Sequence, residues 1–108
     1  MQKLNYDNMV RQGEVLLIPI YKKQLPKNLT EKDNILAHGS ATGHSHILDN
    51  NASVTVDAEG NQYVTVTKTP AQLTHEEHTA ITVQKGTYQV KIQRERDLLN
   101  DEIRAVRD

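Results

Sequence analysis

Four of the five histidines lie in two short segments, residues 42–46 and residues 73–78. The first segment is TGHSH and the second is LTHEEH. Neutral imidazole is a common ligand for transition metals, and a neighbouring carboxylate can complete a ligand set or accept a proton. We therefore expect the two segments to meet in space and to form one polar site, whose best-supported chemistry is metal binding.

The first segment is predicted to open a strand over residues 44–48. Residues i and i+2 of a strand project from the same face, about 6.5–7 Å apart. The rings of His44 and His46 can therefore converge on one ion at about 2.0–2.1 Å. Ser45 is expected to point to the opposite face, so a serine nucleophile activated by these histidines is not favoured.

The second segment needs a different backbone geometry. His75 and His78 are three residues apart, so a regular strand would send them to opposite faces, whereas a tight turn or a single helical turn would bring them together. Glu76 and Glu77 are the candidate catalytic residues, because either carboxylate can join the ligands, hold a histidine or act as a general base. Only two residues separate the histidines, so the HExxH motif of zinc proteases is absent.

The predicted metal ligands are all imidazoles, and they are His44, His46, His75 and His78. This set favours a divalent transition metal, with zinc first and iron, manganese or nickel as alternatives. Four histidines closed around zinc would form a structural site, whereas three with an open position would form a reactive one. The competing interpretation is that the same histidines form a polar site without metal, or cap strands and hydrogen-bond to backbone carbonyls.

The composition predicts a mainly β fold. Phe and Trp are absent and there are four Tyr, so the core must be aliphatic, and β-branched residues pack well on a pleated sheet. The clearest alternation places Tyr88, Val90 and Ile92 on one face of a strand. The strands predicted from such runs cover residues 15–18, 34–38, 44–48, 53–57, 63–67, 80–83 and 87–93.

This spacing predicts about seven or eight short strands in a small antiparallel β-barrel or β-sandwich, followed by a short C-terminal helix. Asp97 is the expected N-cap of that helix. We divide the chain into a flexible arm at residues 1–9, a β domain at residues 10–96 that carries the histidine site, and a helix at residues 97–108 packed on the domain. Residues 21–33 are expected to form a surface loop.

Charge and composition exclude or disfavour several functional classes. The chain has no cysteine, so a disulfide framework or a thiolate metal site is excluded. The formal net charge is -1, so nucleic-acid binding is the least favoured of the functions considered. No apolar run reaches the roughly 18 residues of a membrane span. The expected location is the cytoplasm, or the host cytoplasm for a phage protein. The exposed edges of a small sandwich favour a homo-oligomer, and the sequence does not specify a small-molecule substrate.

Several motifs together resemble a small protein family of bacteria and phages. They are TGHSH at 42–46, LTHEEH at 73–78, Gly-x-Tyr-x-Val at 86–90, QRE at 93–95 and the opening RQGEVLLIPI at 11–20. The resemblance implies that both histidine segments belong to one recurring pattern in a short β-rich domain, and it implies no activity. Ile47 departs from the basic residue expected after the first segment. The HxH pair also loosely resembles cupins, whose glycine and proline spacing the chain lacks.

Two functions follow from the sequence. The first is a small metal-binding β domain, with a hydrolytic activity in which Glu76 or Glu77 activates water. The second is a non-enzymatic interaction or assembly protein, such as a phage accessory subunit, in which the histidines hold strands together or respond to pH.

Overall fold

The computed structural model describes residues 9–38 and 45–93, which form ten β-strands in two antiparallel sheets. The strands of the first sheet are β1 (Val10–Gln12), β2 (Val15–Ile20), β3 (Thr30–Lys32), β6 (Ala52–Val56), β7 (Gln62–Val66) and β10 (Gly86–Ile92). Those of the second are β4 (Ile35–His38), β5 (Ser45–Leu48), β8 (Ala71–Thr74) and β9 (Ile81–Val83). A 3-10 helix at Lys22–Gln24 follows β2. In the described part of the chain, no helix is long and apolar enough to cross a membrane.

The chain passes back and forth between the two sheets. The spatial order is β1-β2-β10-β7-β6-β3 in the first sheet and β4-β5-β8-β9 in the second. The β6–β7 hairpin belongs to the first sheet and is inserted in sequence between β5 and β8, which are direct neighbours in the second. This topology brings the two histidine segments side by side.

One aliphatic core joins the two sheets. Its members are β-branched or aliphatic side chains apart from one tyrosine, and they come from eight of the described strands: Val15, Leu17, Leu36, Ala37, Leu48, Ala52, Val54, Val64, Val66, Ala71, Leu73, Val83, Tyr88 and Val90. The Tyr88 hydroxyl donates a hydrogen bond to the Gln84 carbonyl at 2.7 Å, which pairs the polar end of that buried ring. The predicted aliphatic core is confirmed.

The predicted burial of β2 on both faces is also confirmed. Val15 and Leu17 belong to the core between the sheets, while Leu16 and Ile18 are buried on the other face of the first sheet. A strand with both faces covered loses the alternation of polar and apolar residues, which is why its sequence is a continuous apolar run.

Several details of the sequence prediction need correction. The two sheets do not close into a barrel, so of the two predicted architectures only the layered one agrees with the structure. Strands β1, β3 and β8 were not predicted. β3 falls within residues 21–33, which were predicted to be a loop because the Thr-Glu-Lys sequence of this strand is polar. It pairs with β6 at the edge of the first sheet. The predicted helix at 97–108 and residues 1–8 of the predicted arm lie outside the described residues.

Candidate metal site

Strand pairing between β5 and β8 brings the two histidine segments together. Ile47 pairs with Thr74 and Leu48 pairs with Leu73 in antiparallel register. One residue further along the same register, His46 lies opposite His75. The loop that connects β8 to β9 then turns back and places His78 beside both rings.

The three imidazole rings form a compact cluster. The ring centroid of His46 lies 4.3 Å from that of His75 and 5.7 Å from that of His78, and the last two centroids are 4.6 Å apart. One nitrogen from each ring can be chosen so that all three lie within 4.8 Å of one another. Nitrogens bound to one tetrahedral zinc ion are separated by about 3.3 Å. Small side-chain rotations would therefore bring the cluster to ligating geometry.

Burial is graded across the cluster. His46 is 2% exposed, His75 is half-buried and His78 is exposed. The site therefore has a floor between the two sheets and a mouth that faces solvent at His78. A group held at this site is accessible from one side.

A glutamine that the sequence analysis did not single out forms the floor of the site. Gln12 is 2% exposed and ends β1, one of the two edge strands of the first sheet. Its Oε1 atom lies 2.9 Å from Nδ1 of His46, and its Nε2 atom donates to the carbonyls of Leu73 at 3.0 Å and Thr79 at 2.9 Å. A single side chain thus connects β1 to β5, to β8 and to the loop between β8 and β9.

The residue after Gln12 makes room for the exposed histidine. Gly13 begins the two-residue turn between β1 and β2 and has a φ of 58°, a conformation that glycine adopts at no steric cost. A Cβ atom at this position would lie 2.6 Å from Nε2 of His78. The Gln-Gly pair in the RQGE sequence therefore contacts two of the three histidines. In the sequence, the Gln-Gly pair stands before an apolar strand. This pattern is typical of any hairpin, so it does not indicate a contact with the histidines.

The two glutamates make different contacts. Both carboxylate oxygens of Glu76 accept hydrogen bonds from the Ser45 backbone N–H, each at 3.2 Å. The backbone N–H of Glu77 donates to Nδ1 of His75 at 3.0 Å. Glu76 therefore holds the start of β5 beside the cluster, and the Glu77 backbone fixes the His75 ring in one orientation.

Electrostatics keep the buried histidine neutral. The pKa of His46 is lowered from 6.5 to about 4, chiefly by burial and also by the neighbouring imidazoles of His75 and His78, while Glu76 opposes the shift. A metal ligand must be the neutral form of histidine, so the state that the fold imposes at neutral pH is the state that coordination requires.

The structure brings together three of the four predicted ligands, His46, His75 and His78. The fourth, His44, lies outside the described residues. Along β5 the burial alternates, with His46 and Leu48 inside and Ile47 exposed, so the strand geometry predicted for this segment is found. The turn predicted for the second segment is found in the loop after β8.

A family model matches residues 11–93, and the chain belongs to that family, the Domain of unknown function (DUF8820). The matched span contains Gln12, Gly13 and the three clustered histidines. The predicted membership of a recurring small family is confirmed. No curated protein and no solved structure matches the chain significantly.

Proposed function

We propose that this family member binds one divalent transition-metal ion through His46, His75 and His78. The observation that supports the proposal is the convergence of three imidazoles from two segments that are remote in sequence, with one nitrogen from each within 4.8 Å of the others. Zinc is the expected ion because it accepts three nitrogen ligands in a tetrahedral site. Iron, manganese and nickel are the alternatives, since imidazole suits all of them.

The electrostatics of the cluster support a metal over a purely structural role. Three imidazoles in contact repel one another when protonated, and the floor of the site lowers the pKa of His46 to about 4. Such a cluster gains little from charged histidines. Each neutral imidazole has one nitrogen lone pair, and that of His75 accepts from the Glu77 N–H in the metal-free structure. A divalent cation matches this arrangement, because neutral imidazole donors stabilise its charge.

The finer proposal is hydrolysis. Three protein ligands leave a coordination position free, and the exposed side of His78 gives access to it. A divalent ion with a free position supplies Lewis-acid chemistry toward a carbonyl or phosphoryl group. Glu76 is the preferred proton acceptor because its carboxylate lies at the edge of the cluster, against the Ser45 N–H.

Metal binding is tested on protein purified without a polyhistidine tag. Elemental analysis and calorimetric titration with Zn²⁺ should give one ion per chain. Replacing both His75 and His78 with alanine should lower the affinity at least 100-fold, since two of three ligands are lost. Gln72→Ala, which removes an exposed polar side chain from the adjacent strand β8, is the control and should bind normally. Equal zinc binding by the double variant and the control would refute the proposed site.

Hydrolysis is tested with zinc-loaded protein and p-nitrophenyl acetate or bis(p-nitrophenyl) phosphate. Glu76→Gln should keep the metal and lower the rate about 100-fold or more, as expected for the loss of a general base. Glu77→Gln tests the second candidate carboxylate, and Glu59→Gln, at an exposed glutamate of the β6–β7 loop, is the matched control. An activity unaffected by Glu76→Gln would remove Glu76 from this role, and an inactive metal-loaded protein would restrict the function to metal binding.

A further inference from the structure

The orientation of the Gln12 side-chain amide is fixed by its surroundings. Two backbone carbonyls, those of Leu73 and Thr79, lie within 3.0 Å of the amide nitrogen. Carbonyl oxygens can only accept hydrogen bonds, so the NH2 group must face them and use both of its hydrogens. A flipped amide would place Oε1 against two other acceptors in a buried setting, where an unpaired polar group is costly.

The fixed amide determines which nitrogen of His46 carries the proton. Gln12 Oε1 is an acceptor and lies 2.9 Å from Nδ1 of His46, so Nδ1 must be the donor. The neutral ring of His46 then has its lone pair on Nε2.

We propose that Gln12 is a positioning residue that holds His46 in the Nδ1–H tautomer and presents its Nε2 atom to a metal. The ligation by Nε2 rests on the proposed metal site, whereas the tautomer does not. A hydrogen bond from the second ring nitrogen of a ligating histidine fixes the orientation of the ring, and its loss typically lowers metal affinity about 10- to 100-fold. Glutamine suits this position because it accepts one bond and donates two.

The same side chain couples the first sheet to the loop that carries His78. The Thr79 carbonyl that accepts from Gln12 directly follows His78, and Gly13 leaves the space that the His78 ring occupies. The turn between β1 and β2 therefore sets both the chemistry of the buried histidine and the position of the exposed one. A side chain at position 12 that only filled space could influence the position of His78, but it could not select the tautomer of His46.

The tautomer is measured on metal-free protein labelled with ¹⁵N at histidine, by long-range ¹H–¹⁵N correlation at pH 7.5. Wild-type His46 should show the Nδ1–H tautomer. In Gln12→Leu the acceptor is lost, and the signal should shift toward the Nε2–H tautomer. In Gln12→Glu the carboxyl oxygen beside the Leu73 and Thr79 carbonyls must carry a proton, and the other oxygen still accepts from Nδ1–H, so the wild-type tautomer should be kept. An Nε2–H tautomer in the wild type, or an unchanged tautomer in Gln12→Leu, would overturn the proposal.

Metal coordination is measured separately, with ¹¹³Cd²⁺ as the probe. A ¹¹³Cd–¹⁵N coupling to Nε2 of His46 is expected, and Zn²⁺ affinity should fall about 10- to 100-fold in Gln12→Leu. Gln72→Leu, at an exposed glutamine that donates to Thr82 Oγ1 at 2.9 Å, is the matched control and should keep wild-type affinity. Unchanged affinity in Gln12→Leu, or coupling to Nδ1, would overturn the positioning role.

These two measurements separate the inference from the proposed function. An Nδ1–H tautomer in a protein that binds neither ion would refute the metal site and support the Gln12–His46 pairing alone. Metal binding through Nδ1 would support the metal site and refute the pairing as its positioning device. If Gln12→Leu does not fold, the wild-type tautomer, the ¹¹³Cd coupling and Gln12→Glu still decide the question.

Discussion

The side chains of Gln12 and His46 meet in the interior, with Gln12 Oε1 2.9 Å from His46 Nδ1 and a sequence separation of 34 residues. Gln12 ends an edge strand of the first sheet, and His46 lies on β5 in the second sheet. The contact therefore crosses between the sheets. It makes the integrity of the histidine cluster dependent on how the two sheets pack.

Replacing His46 with leucine should destabilise the metal-free protein. Leucine has a similar volume but no donor, so the buried Oε1 of Gln12 loses its partner. Leaving a buried acceptor unpaired costs about 1–3 kcal/mol. The free energy of unfolding, measured by urea denaturation in EDTA, should fall by about this amount.

His78→Ala is the matched control for that substitution. Its ring is exposed, and surface substitutions usually change stability by less than about 0.5 kcal/mol. The control should nevertheless lose most of the stabilisation that added zinc gives the wild type, because it removes a proposed ligand. Equal stability losses in the two metal-free variants would contradict the assignment of His46 to the floor and His78 to the mouth.

Gly13→Ala should both strain the backbone and displace His78. The position has a φ of 58°, and the new Cβ would lie 2.6 Å from Nε2 of His78. We expect a loss of about 1 kcal/mol in stability from the left-handed conformation, together with weaker zinc binding in calorimetry.

Gly60→Ala separates these two effects. Gly60 also has a positive φ, 90°, but a Cβ there meets no atom within 4 Å. This control should lose stability and keep the zinc affinity of the wild type. Matching zinc affinities in the two variants would exclude the contact between the β1–β2 turn and the metal site.

Acid should destabilise the metal-free protein through His46. The unfolded chain takes up a proton on this residue near pH 6.5, whereas the folded-state pKa of His46 is about 4. Below pH 6.5 the unfolded state therefore binds more protons, and the free energy of unfolding falls as pH falls, until the penalty is complete below pH 4. The full effect is at most about 3 kcal/mol.

The measurement compares the wild type with His46→Leu by urea unfolding in EDTA between pH 7.5 and 4. Carboxylates also titrate at the acid end of this range, and their contribution is common to both proteins. The difference between the two curves should shrink as pH falls, because only the wild type pays the protonation penalty. If the difference in the free energy of unfolding between the two proteins does not change with pH, the folded-state pKa of His46 is the ordinary value.

Metal binding should break the hydrogen bond from the Glu77 N–H to His75. A neutral imidazole has a single nitrogen lone pair, and the structure uses the one on Nδ1 to accept this bond at 3.0 Å. Ligation through either nitrogen requires the bond to open, since the metal takes the lone pair at Nδ1 or a proton moves there. The amide of Glu77 should therefore shift in ¹H–¹⁵N spectra and exchange faster with solvent when zinc is added.

The Asn61 amide provides an internal reference for that experiment. It donates to the Asp57 carboxylate at 2.9 Å in the β6–β7 loop. Its shift and exchange rate should not respond to zinc. An unperturbed Glu77 amide in zinc-saturated protein would remove His75 from the ligand set.

Local pattern was enough to predict the strand that carries His46 and the inward face of β10. In β10, Tyr88 and Val90 are buried and Lys91 is exposed, as period-two alternation predicts. The turn geometry of residues 75–78 also followed from spacing alone, because histidines three apart cannot share a face of a strand. The polar edge strand β3 was missed because it has no apolar alternation to detect.

The sequence by itself determined that histidines and glutamates are concentrated in two short segments. It also determined that these segments form a strand and a turn, and that the core is aliphatic. These are local properties, fixed by side-chain chemistry and by a repeat of two residues. Only the tertiary structure decided that β5 and β8 are neighbours and that Gln12 closes the floor of the site beneath His46. The pairing of Gln12 and His46 depends on sheet order and packing across the core, and no local pattern in the chain encodes a contact at that separation.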